Sequence, residues 1–530
     1  MSVFKPGADT KKTGAGKSSS EIKGGDIAGF NTSEKAFTRK VLSMDSRTRI
    51  IESLGSMVAV KTVSGPGETP DYEGFEKVLR EEAAMRKLSC EQIGKHVGNW
   101  LVKMQNEDPE KQTMLIAVHA DVVSVGDRKD WKTDPFEFTV DGDSAYGRGA
   151  ADCKSGIVVG LEAMYRLQKE NPKVKVRMLV GRDEETGSEL GFKYLAENNL
   201  LKADAALVWD TRPVITVASS GVIGAKIEFH GAVSGALGIF DAIQEYSTKR
   251  NMVESEYYAT EAPRPKLWGR VTPTIINFQV ISDEEVFAKA IWGGEKTNSV
   301  PASCYVSFGI STSALGAGIW KEIRSKLNQN LSPGFEIVKD PEGILGTGKR
   351  RSVQIEIQGK GGHAGYPHQT LNPIPEAIRL VREYIKGESS SFYLGVDARA
   401  LPEENIMAIK NELIDAFKKN ATPMLDDGKW SVHSPCMLGK NQVNDALVGQ
   451  VQAAFGAQGL DTKIYGGLGG LDLDMLIKAG IPSLAAGPQN KSIHGPNEYV
   501  SLSQIEKFIN LTVDLAVNWE SLPGKTSTEG

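Results

Sequence analysis

Short clusters of acidic residues and histidine follow predicted strands at three points in the first half of the chain. An apolar, strand-like run ends in His119-Ala-Asp121, and further clusters follow at Asp152 and at Glu184-Glu185. Each lies where a strand gives way to a loop or helix, the place where an open α/β sheet presents its functional residues. Histidine and carboxylate side chains suit zinc or a similar divalent ion. Together the clusters predict an α/β fold that carries a metal site.

Strands and helices alternate through and beyond these clusters. The predicted elements run, in chain order, over residues 113–118, 156–168, 174–180, 191–197, 205–208, 446–455, around 464, 473–479, 483–486 and 502–519. An earlier helix is predicted to begin near Asp45 or Ser46, since either residue can serve as its N-cap. This rhythm is typical of a parallel-type sheet with helices on its faces. It breaks off between about 216 and 440, which predicts a domain split by an insertion.

Composition removes several classes of function. The net charge of −5 gives no basic footprint for nucleic acid. No apolar run reaches the roughly 18 residues that a membrane span needs. The 4 cysteines are scattered, which indicates neither a disulfide framework nor a zinc knuckle and favours a reducing cytoplasm. We interpret Cys153, beside Asp152, as a small buried thiol rather than a nucleophile.

The order and local sequences of the clusters resemble the motifs of the co-catalytic zinc amidohydrolases. This family includes carboxypeptidase G, acetylornithine deacetylase, succinyl-diaminopimelate desuccinylase, aminoacylase and carnosinase. The matching motifs continue at Trp131, Pro135-Phe136, Asp141-Gly142, Gly147-Arg148-Gly149, Asp210 in Trp-Asp-Thr-Arg-Pro, and His494 in Ile-His-Gly-Pro-Asn-Glu-Tyr-Val. The resemblance implies an α/β catalytic domain, with a mixed sheet flanked by helices, and an inserted α+β lid domain. It also implies a cis peptide bond after Asp152.

The resemblance implies two zinc ions per active site, with cobalt or manganese as alternatives. Asp152 would bridge the two ions. His119 and Asp210 would bind one ion, and Glu185 and His494 would bind the other.

Two further carboxylates of the catalytic domain have implied roles. Glu184 would act as general base towards the water that becomes metal-bound hydroxide. Asp121 would fix the orientation of the His119 imidazole through its ring N–H.

Residues of the lid and of a glycine-rich loop complete the expected site. His363 would stabilise the oxyanion, and His368 is an ambiguous alternative in the same turn. Asn298 and Gly469 would face the substrate. Arg399 would bind a substrate carboxylate, unless it forms a salt bridge within the lid with Asp397 or Glu403.

The insertion indicates an internal duplication. Segment 221–235 resembles segment 351–363, and Gly235 stands in the first copy where His363 stands in the second. The first copy also keeps the family's Asn298 element, whereas the second keeps Asp397-Ala-Arg399. The predicted segments are a disordered tail at 1–35, the first catalytic part at 36–215, lid subdomains at 216–335 and 336–440, and the second catalytic part at 441–530.

These features predict a metallohydrolase that cleaves the amide bond of dipeptides or short peptides next to a free carboxylate. One alternative is an N-acyl-amino-acid deacylase that removes acetyl or succinyl groups. Another is a non-catalytic relative that acts as a binding protein. The doubled lid resembles the monomeric dipeptidase branch and favours a monomer with a pseudo-dimeric lid; the alternative is a homodimer with an extra insertion. We expect no nucleic-acid or membrane partner.

Overall fold

The computed structural model describes residues 45–65, 67–250, 271–294, 299–339, 349–364, 370–400, 405–420, 430–433, 436–438, 441–467, 472–490 and 492–523. The predicted tail at 1–35 lies outside these ranges. The α-helices are α1 (Ser46–Val58), α2 (Tyr72–Met85), α3 (Ser155–Leu167), α4 (Phe192–Glu197), α5 (Val233–Arg250), α6 (Thr312–Gly316), α7 (Ile319–Gln329), α8 (Pro373–Val381), α9 (Ile406–Asn420), α10 (Gln442–Ala457), α11 (Leu473–Lys478) and α12 (Leu502–Asn518).

The strands divide between a catalytic part and a lid. Those of the catalytic part are β1 (Leu88–Gln92), β2 (Trp100–Met104), β3 (Thr113–His119), β4 (Thr139–Asp141), β5 (Ser144–Tyr146), β6 (Lys175–Gly181), β7 (Ala205–Trp209) and β8 (Ile215–Ser219). Those of the insertion are β9 (Gly221–Gly231), β10 (Val271–Ile281), β11 (Val286–Gly293), β12 (Ser299–Val300), β13 (Ser303–Ser311), β14 (Glu336–Lys339), β15 (Arg350–Gln358), β16 (Gly362–His363), β17 (Ser389–Ala400) and β18 (Trp430–His433). The chain then returns through β19 (Cys436–Met437), β20 (Ile464–Gly467), β21 (Ser483–Ala486) and β22 (Tyr499–Ser501).

The catalytic part is built on a mixed sheet whose described strands have the order β1-β2-β6-β3-β7-β21-β8-β19, with β20 also paired to β8. Strand β3 is parallel to both β6 and β7, and β21 is parallel to β7. Strands β1 and β2 extend the sheet as an antiparallel hairpin. The split domain is therefore completed by a strand from the far side of the insertion.

Both faces of this sheet are buried, and the side chains of β3 show how. Met114 and Ile116 pack into the larger core with α1, α2, α3 and α12. Leu115 and Ala117 point the other way and pack against α4 and α11. Successive residues of a strand point to opposite faces, so the uninterrupted apolar run of β3 supplies two cores. None of the helices in the described ranges is both long enough and apolar enough to cross a lipid bilayer.

The lid is one continuous sheet in the order β14-β15-β13-β11-β10-β17-β9-β18. Its strands pair antiparallel throughout the described residues. Helices α5, α8 and α9 pack their apolar sides on one face, while alternate residues of β15 are only half-buried. This is the one-sided packing of an α+β domain. A mixed catalytic sheet with an inserted α+β lid is the fold class that the sequence predicted.

The sheet order gives the lid two matching halves. Counted from opposite edges, β15 and β9 are both second; β9 is followed directly by α5, and β15 is followed by the short β16 and then by α8. These strands hold the two segments whose similarity indicated a duplication. Strands β10 and β11 meet at the centre of the sheet.

The halves do not follow the division of the insertion at 335/336. Strands β11, β13, β14 and β15 form one half, whereas β10, β17, β9 and β18 form the other. Strand β11, which precedes Asn298, and strand β15, which precedes His363, thus belong to the same half. Arg399 is in β17 and belongs to the other half. The sequence similarity grouped these residues differently, because chain order does not show that β17 pairs with β10 and β9.

The ends of the insertion also differ slightly from the proposed boundaries at 215/216 and 440/441. Strand β8 belongs to the catalytic sheet through β21 and β20. Strand β19 pairs with β8 in the same sheet. The first strand of the lid therefore begins at Gly221, and the last ends at His433.

Candidate metal centre

The candidate site forms where three neighbouring parallel strands end. His119 is the last residue of β3, Asp210 follows β7, and Glu184 and Glu185 follow β6. Because β3 lies between β6 and β7 with all three parallel, their carboxyl ends meet at one edge. The predicted clusters are therefore brought together by the register of the sheet.

Asp152 lies between two groups of side chains. Its Oδ1 is 3.2 Å from Nε2 of His119, and Oδ1 of Asp210 is 3.4 Å from the same nitrogen. Its Oδ2 is 3.1 Å from Nε2 of His494, which in turn is 3.2 Å from Oε2 of Glu185. The five residues predicted from the sequence as metal ligands thus converge, with Asp152 facing both histidines.

The turn before α3 presents Asp152 to the cluster. Gly149 has a φ of +85°, and a Cβ there would lie 2.6 Å from Val122 Cγ1, so the turn requires glycine. The peptide bond from Asp152 to Cys153 is cis, as the resemblance implied. Oε1 of Glu498 accepts the backbone N–H groups of Ala151 at 2.9 Å and Asp152 at 3.1 Å.

His494 lies on the loop between β21 and β22, outside the main catalytic sheet. Its φ of 62° is uncommon for a residue with a Cβ, and such positions concentrate at functional sites. Strand β22, which follows it, pairs with β5 next to the turn that carries Asp152. This small sheet brings the loop back to the metal centre from the far side of the insertion.

Asp121 contacts the His119 ring and also uses its carboxylate for a second set of contacts. The backbone oxygen of Asp121 is 3.0 Å from Nδ1 of His119, closer than its carboxylate at 3.4 Å. The carboxylate instead accepts the N–H groups of Glu184 at 3.1 Å and Glu185 at 3.2 Å, and the hydroxyl of Ser64 at 2.7 Å. Asp121 therefore fixes both the imidazole and the turn that carries the two glutamates.

Burial and close charges shift the pKa values of the cluster. Burial raises the pKa of Asp210 to about 7 and that of Glu184 well above its ordinary value. Burial lowers the pKa of His494, but Glu185 and Asp152 outweigh it and raise that pKa to about 10. Burial raises the pKa of Asp152, yet the two histidines hold it well below its ordinary value. Without a bound ion, the close carboxyl and imidazole groups of the cluster thus compete for protons, which a bound cation would displace.

The donor atoms fit a pair of divalent ions. Ligand atoms of Asp152, Glu185 and His494 lie within 4.8 Å of one another, and so do those of His119, Cys153 and Asp210. Oε1 of Glu185 is buried without a hydrogen-bond partner in the described part of the chain. A buried carboxylate oxygen of this kind is costly unless a cation or donor satisfies it. Imidazole and carboxylate donors suit zinc, cobalt or manganese.

Cys153 is buried beside this cluster as the sequence analysis interpreted it. Its Sγ accepts the backbone N–H of His119 at 3.1 Å and contacts the backbone oxygen of the same residue at 3.4 Å. Burial raises the pKa of the Cys153 thiol well above its ordinary value. The thiol therefore braces the backbone of His119 and is not poised to act as a thiolate.

The lid residues are placed only in part. His363 pairs through its backbone with Ser299 in the short ladder between β16 and β12, so the two motif segments of one lid half are adjacent. Asn298, Gly469 and His368 lie outside the described residues. Arg399 forms the salt bridge with Asp397 that the sequence left open as an alternative, at 2.7 Å through Nε and 2.8 Å through Nη2.

Several buried polar residues around the centre carry no motif and were missed. Gln489 donates to Asp152 and Asp210. Ser188 donates to Asp472, which links the turn after Glu184 to the start of α11. Ser64 is a third such residue, because its hydroxyl donates a hydrogen bond to the carboxylate of Asp121. Their only signal in the sequence is proximity to a motif, which does not separate them from ordinary loop residues.

The chain is similar to known proteins in both sequence and fold. The family model described as peptidase family M20/M25/M40 matches residues 115–518. A succinyl-diaminopimelate desuccinylase of Coxiella burnetii is 27% identical over 257 residues, which cover 46% of this chain and 65% of the relative. The chain therefore spans just under two thirds of the length of that relative.

Solved structures share the fold at low sequence identity. A metallo-carboxypeptidase of the M20 family from Sulfolobus solfataricus has a TM-score of 0.53 and 16% identity, and covers 89% of this chain and 99% of its own. Human carnosine dipeptidase 1 also has a TM-score of 0.53, with 12% identity and coverages of 91% and 99%. The family match includes most of β3, the later catalytic strands, the lid and His494. The chain therefore belongs to peptidase family M20/M25/M40.

Proposed function

We propose that the chain is a metal-dependent hydrolase that cleaves the amide bond of dipeptides or short peptides with a free carboxylate. The observation that carries the proposal is the convergence of His119 and His494 on opposite oxygens of Asp152, with Glu184 alongside. Oε2 of Glu184 lies 4.0 Å from Nε2 of His119. The non-catalytic alternative is disfavoured because every expected ligand and the expected base are present in the cluster.

The ligands divide into two sets that share Asp152. His119 and Asp210 would hold one zinc ion, and Glu185 and His494 would hold the other. When bound, such ions polarise the scissile carbonyl and lower the pKa of water.

Glu184 is placed to move the proton. Its raised pKa suits it to accept a proton from water and to pass it to the leaving amine. The hydrogen bonds from its turn to Asp121 hold the carboxylate in place during this transfer.

The lid and the glycine-rich loop contain the groups proposed for substrate recognition. His363 would stabilise the oxyanion through its imidazole N–H, and Asn298 and Gly469 would line the substrate path. Arg399 is also proposed to bind the substrate carboxylate, in addition to the salt bridge that its Nε and Nη2 form with Asp397. An Arg399→Met variant is expected to raise KM more than it lowers kcat.

A second candidate is an N-acyl-amino-acid deacylase. The similarity to a desuccinylase favours it, and both activities use the same groups on an amide beside a carboxylate. Hydrolysis rates on a panel of dipeptides, N-acetyl and N-succinyl amino acids, with zinc or manganese added, separate the two. Turnover confined to N-acyl substrates would replace the dipeptidase proposal, and no turnover with any metal would overturn both.

The matched halves of the lid sheet support a monomer that closes its own site. In this proposal the central pairing of β10 with β11 stands in for a contact between two subunits, and a homodimer is the alternative. All four cysteines, Cys90, Cys153, Cys304 and Cys436, are unpaired, which supports a reducing compartment such as the cytoplasm.

A further inference from the structure

Gln489 is buried beside the metal centre, with 4% of its surface exposed. Its Nε2 donates to Oδ1 of Asp210 at 2.7 Å and to Oδ1 of Asp152 at 3.1 Å. A side-chain amide nitrogen carries two hydrogens, so one group can serve both carboxylates. The residue lies three positions after the end of β21, on the segment that leads to His494.

The contacts of Gln489 fall on one side of the centre. The two oxygens that it binds are those that face Nε2 of His119, at 3.2 and 3.4 Å. The oxygens that face His494 are Oδ2 of Asp152 and Oε2 of Glu185. The amide therefore bonds to both ligand oxygens that face His119, whereas on the His494 side it restrains only Asp152.

We propose that Gln489 is a positioning residue that makes the two metal positions unequal, by holding the carboxylates of the His119 position in place. The inference rests on the proposed function, because it assumes that the cluster binds two ions. Each carboxylate oxygen has two lone pairs and can accept the amide while it binds a cation. Groups that hold metal ligands in this way are worth about 10-fold to 100-fold in metal affinity.

The test compares the wild type with Gln489→Met, which keeps the length of the side chain but removes its donor, and with Gln489→Ala. Metal-free protein is titrated with Co²⁺ and followed by visible absorption, since His/carboxylate sites accept cobalt. Zn²⁺ affinities follow from competition with a chromophoric chelator. A matched control is Gln458→Ala, which removes a glutamine bond to Asp514 elsewhere in the fold.

In both Gln489 variants, one of the two equivalents should bind about 10-fold to 100-fold more weakly while the other changes by less than about threefold. The control should match the wild type. Equal weakening of both equivalents, or of neither, overturns the inference while the proposed function stands. A wild-type chain that binds no Co²⁺ or Zn²⁺ overturns the proposed function and the inference together. Thermal unfolding of the metal-free variants identifies any loss of affinity that comes from misfolding.

Discussion

Glu498 accepts the backbone N–H of Asp152 at 3.1 Å while its other oxygen binds Arg148 at 2.5 Å. The pair is almost fully buried, so removing one charge leaves the other uncompensated. We expect Glu498→Gln to lower the free energy of unfolding by about 3–5 kcal/mol and to weaken metal binding by about 10-fold. Denaturant unfolding of metal-free protein and Zn²⁺ competition measure the two effects. Unaltered Zn²⁺ affinity would show that Asp152 is held without Glu498.

Removal of the proposed base should separate chemistry from metal binding. Glu184→Gln keeps the shape of the side chain but cannot accept a proton, so kcat should fall by about 100-fold or more with metal content unchanged. Glu185→Gln is the contrasting variant, because its carboxylate contacts His494 at 3.2 Å and should instead lose metal. Metal analysis and kcat of both variants test this assignment. Full activity in Glu184→Gln would contradict it.

A buried ion network joins the first three helices and should make stability depend on pH. Glu162 on α3 contacts Arg49 at 3.0 Å and Arg86 at 2.7 Å. Burial raises the pKa of Glu162, but the two arginines outweigh it and hold the pKa below its ordinary value of 4.5. A depressed pKa in the folded state stabilises the protein above that ordinary value, and the contribution is lost as pH falls through the folded-state pKa.

Glu162→Gln should therefore lower the free energy of unfolding near neutral pH by about 3–5 kcal/mol. The deficit relative to the wild type should shrink below pH 4.5, the ordinary value for glutamate. Denaturant midpoints across pH 3–7 measure it. The control Glu189→Gln removes an exposed pair with Lys193 and should cost less than about 1 kcal/mol. A deficit independent of pH would contradict the assignment to charge.

The proposed monomer makes a prediction for mixed variants. His363→Ala and Glu184→Gln each disable one half of the same active site, so mixing them should restore no activity if one chain supplies both groups. Activity of the mixture at equal concentrations, with sedimentation velocity of each protein, provides the measurement. Recovered turnover together with a dimer joined through the lid would establish a site shared between chains.

The catalytic strands could be predicted because their residues carry both structure and chemistry. The apolar run of β3 ends directly in His119, so hydrophobicity and the ligand motif indicate the same element. Asp45 was one of the two predicted N-caps, and its side chain accepts the N–H of Thr48. The hairpin of β1 and β2 was missed, because its short strands are half-exposed and lack a continuous apolar pattern.

Contacts between distant residues could not be predicted in the same way. Gln489 lies far from Asp152 in the chain, and its role depends on which way a loop runs after β21. Asp121 was expected to orient the His119 ring, which its backbone oxygen contacts, but nothing in the sequence indicated that its carboxylate also accepts the N–H groups of Glu184 and Glu185. A single amide or carboxylate has no periodicity, so only the folded backbone decides its partner.

The pairing of β10 with β17 shows that one half of the lid is inserted between two neighbouring strands of the other half. Ile281, the last residue of β10, pairs with Ser389, the first of β17. The four strands of the half formed by β11, β13, β14 and β15 all lie between these two residues in the chain. That half is thus one continuous insertion at the tip of a hairpin. Excising it and closing the tip with a short turn would leave β10, β17, β9 and β18 with their helices as a complete smaller lid. A gene could acquire or lose the second half in a single event without disturbing the metal ligands.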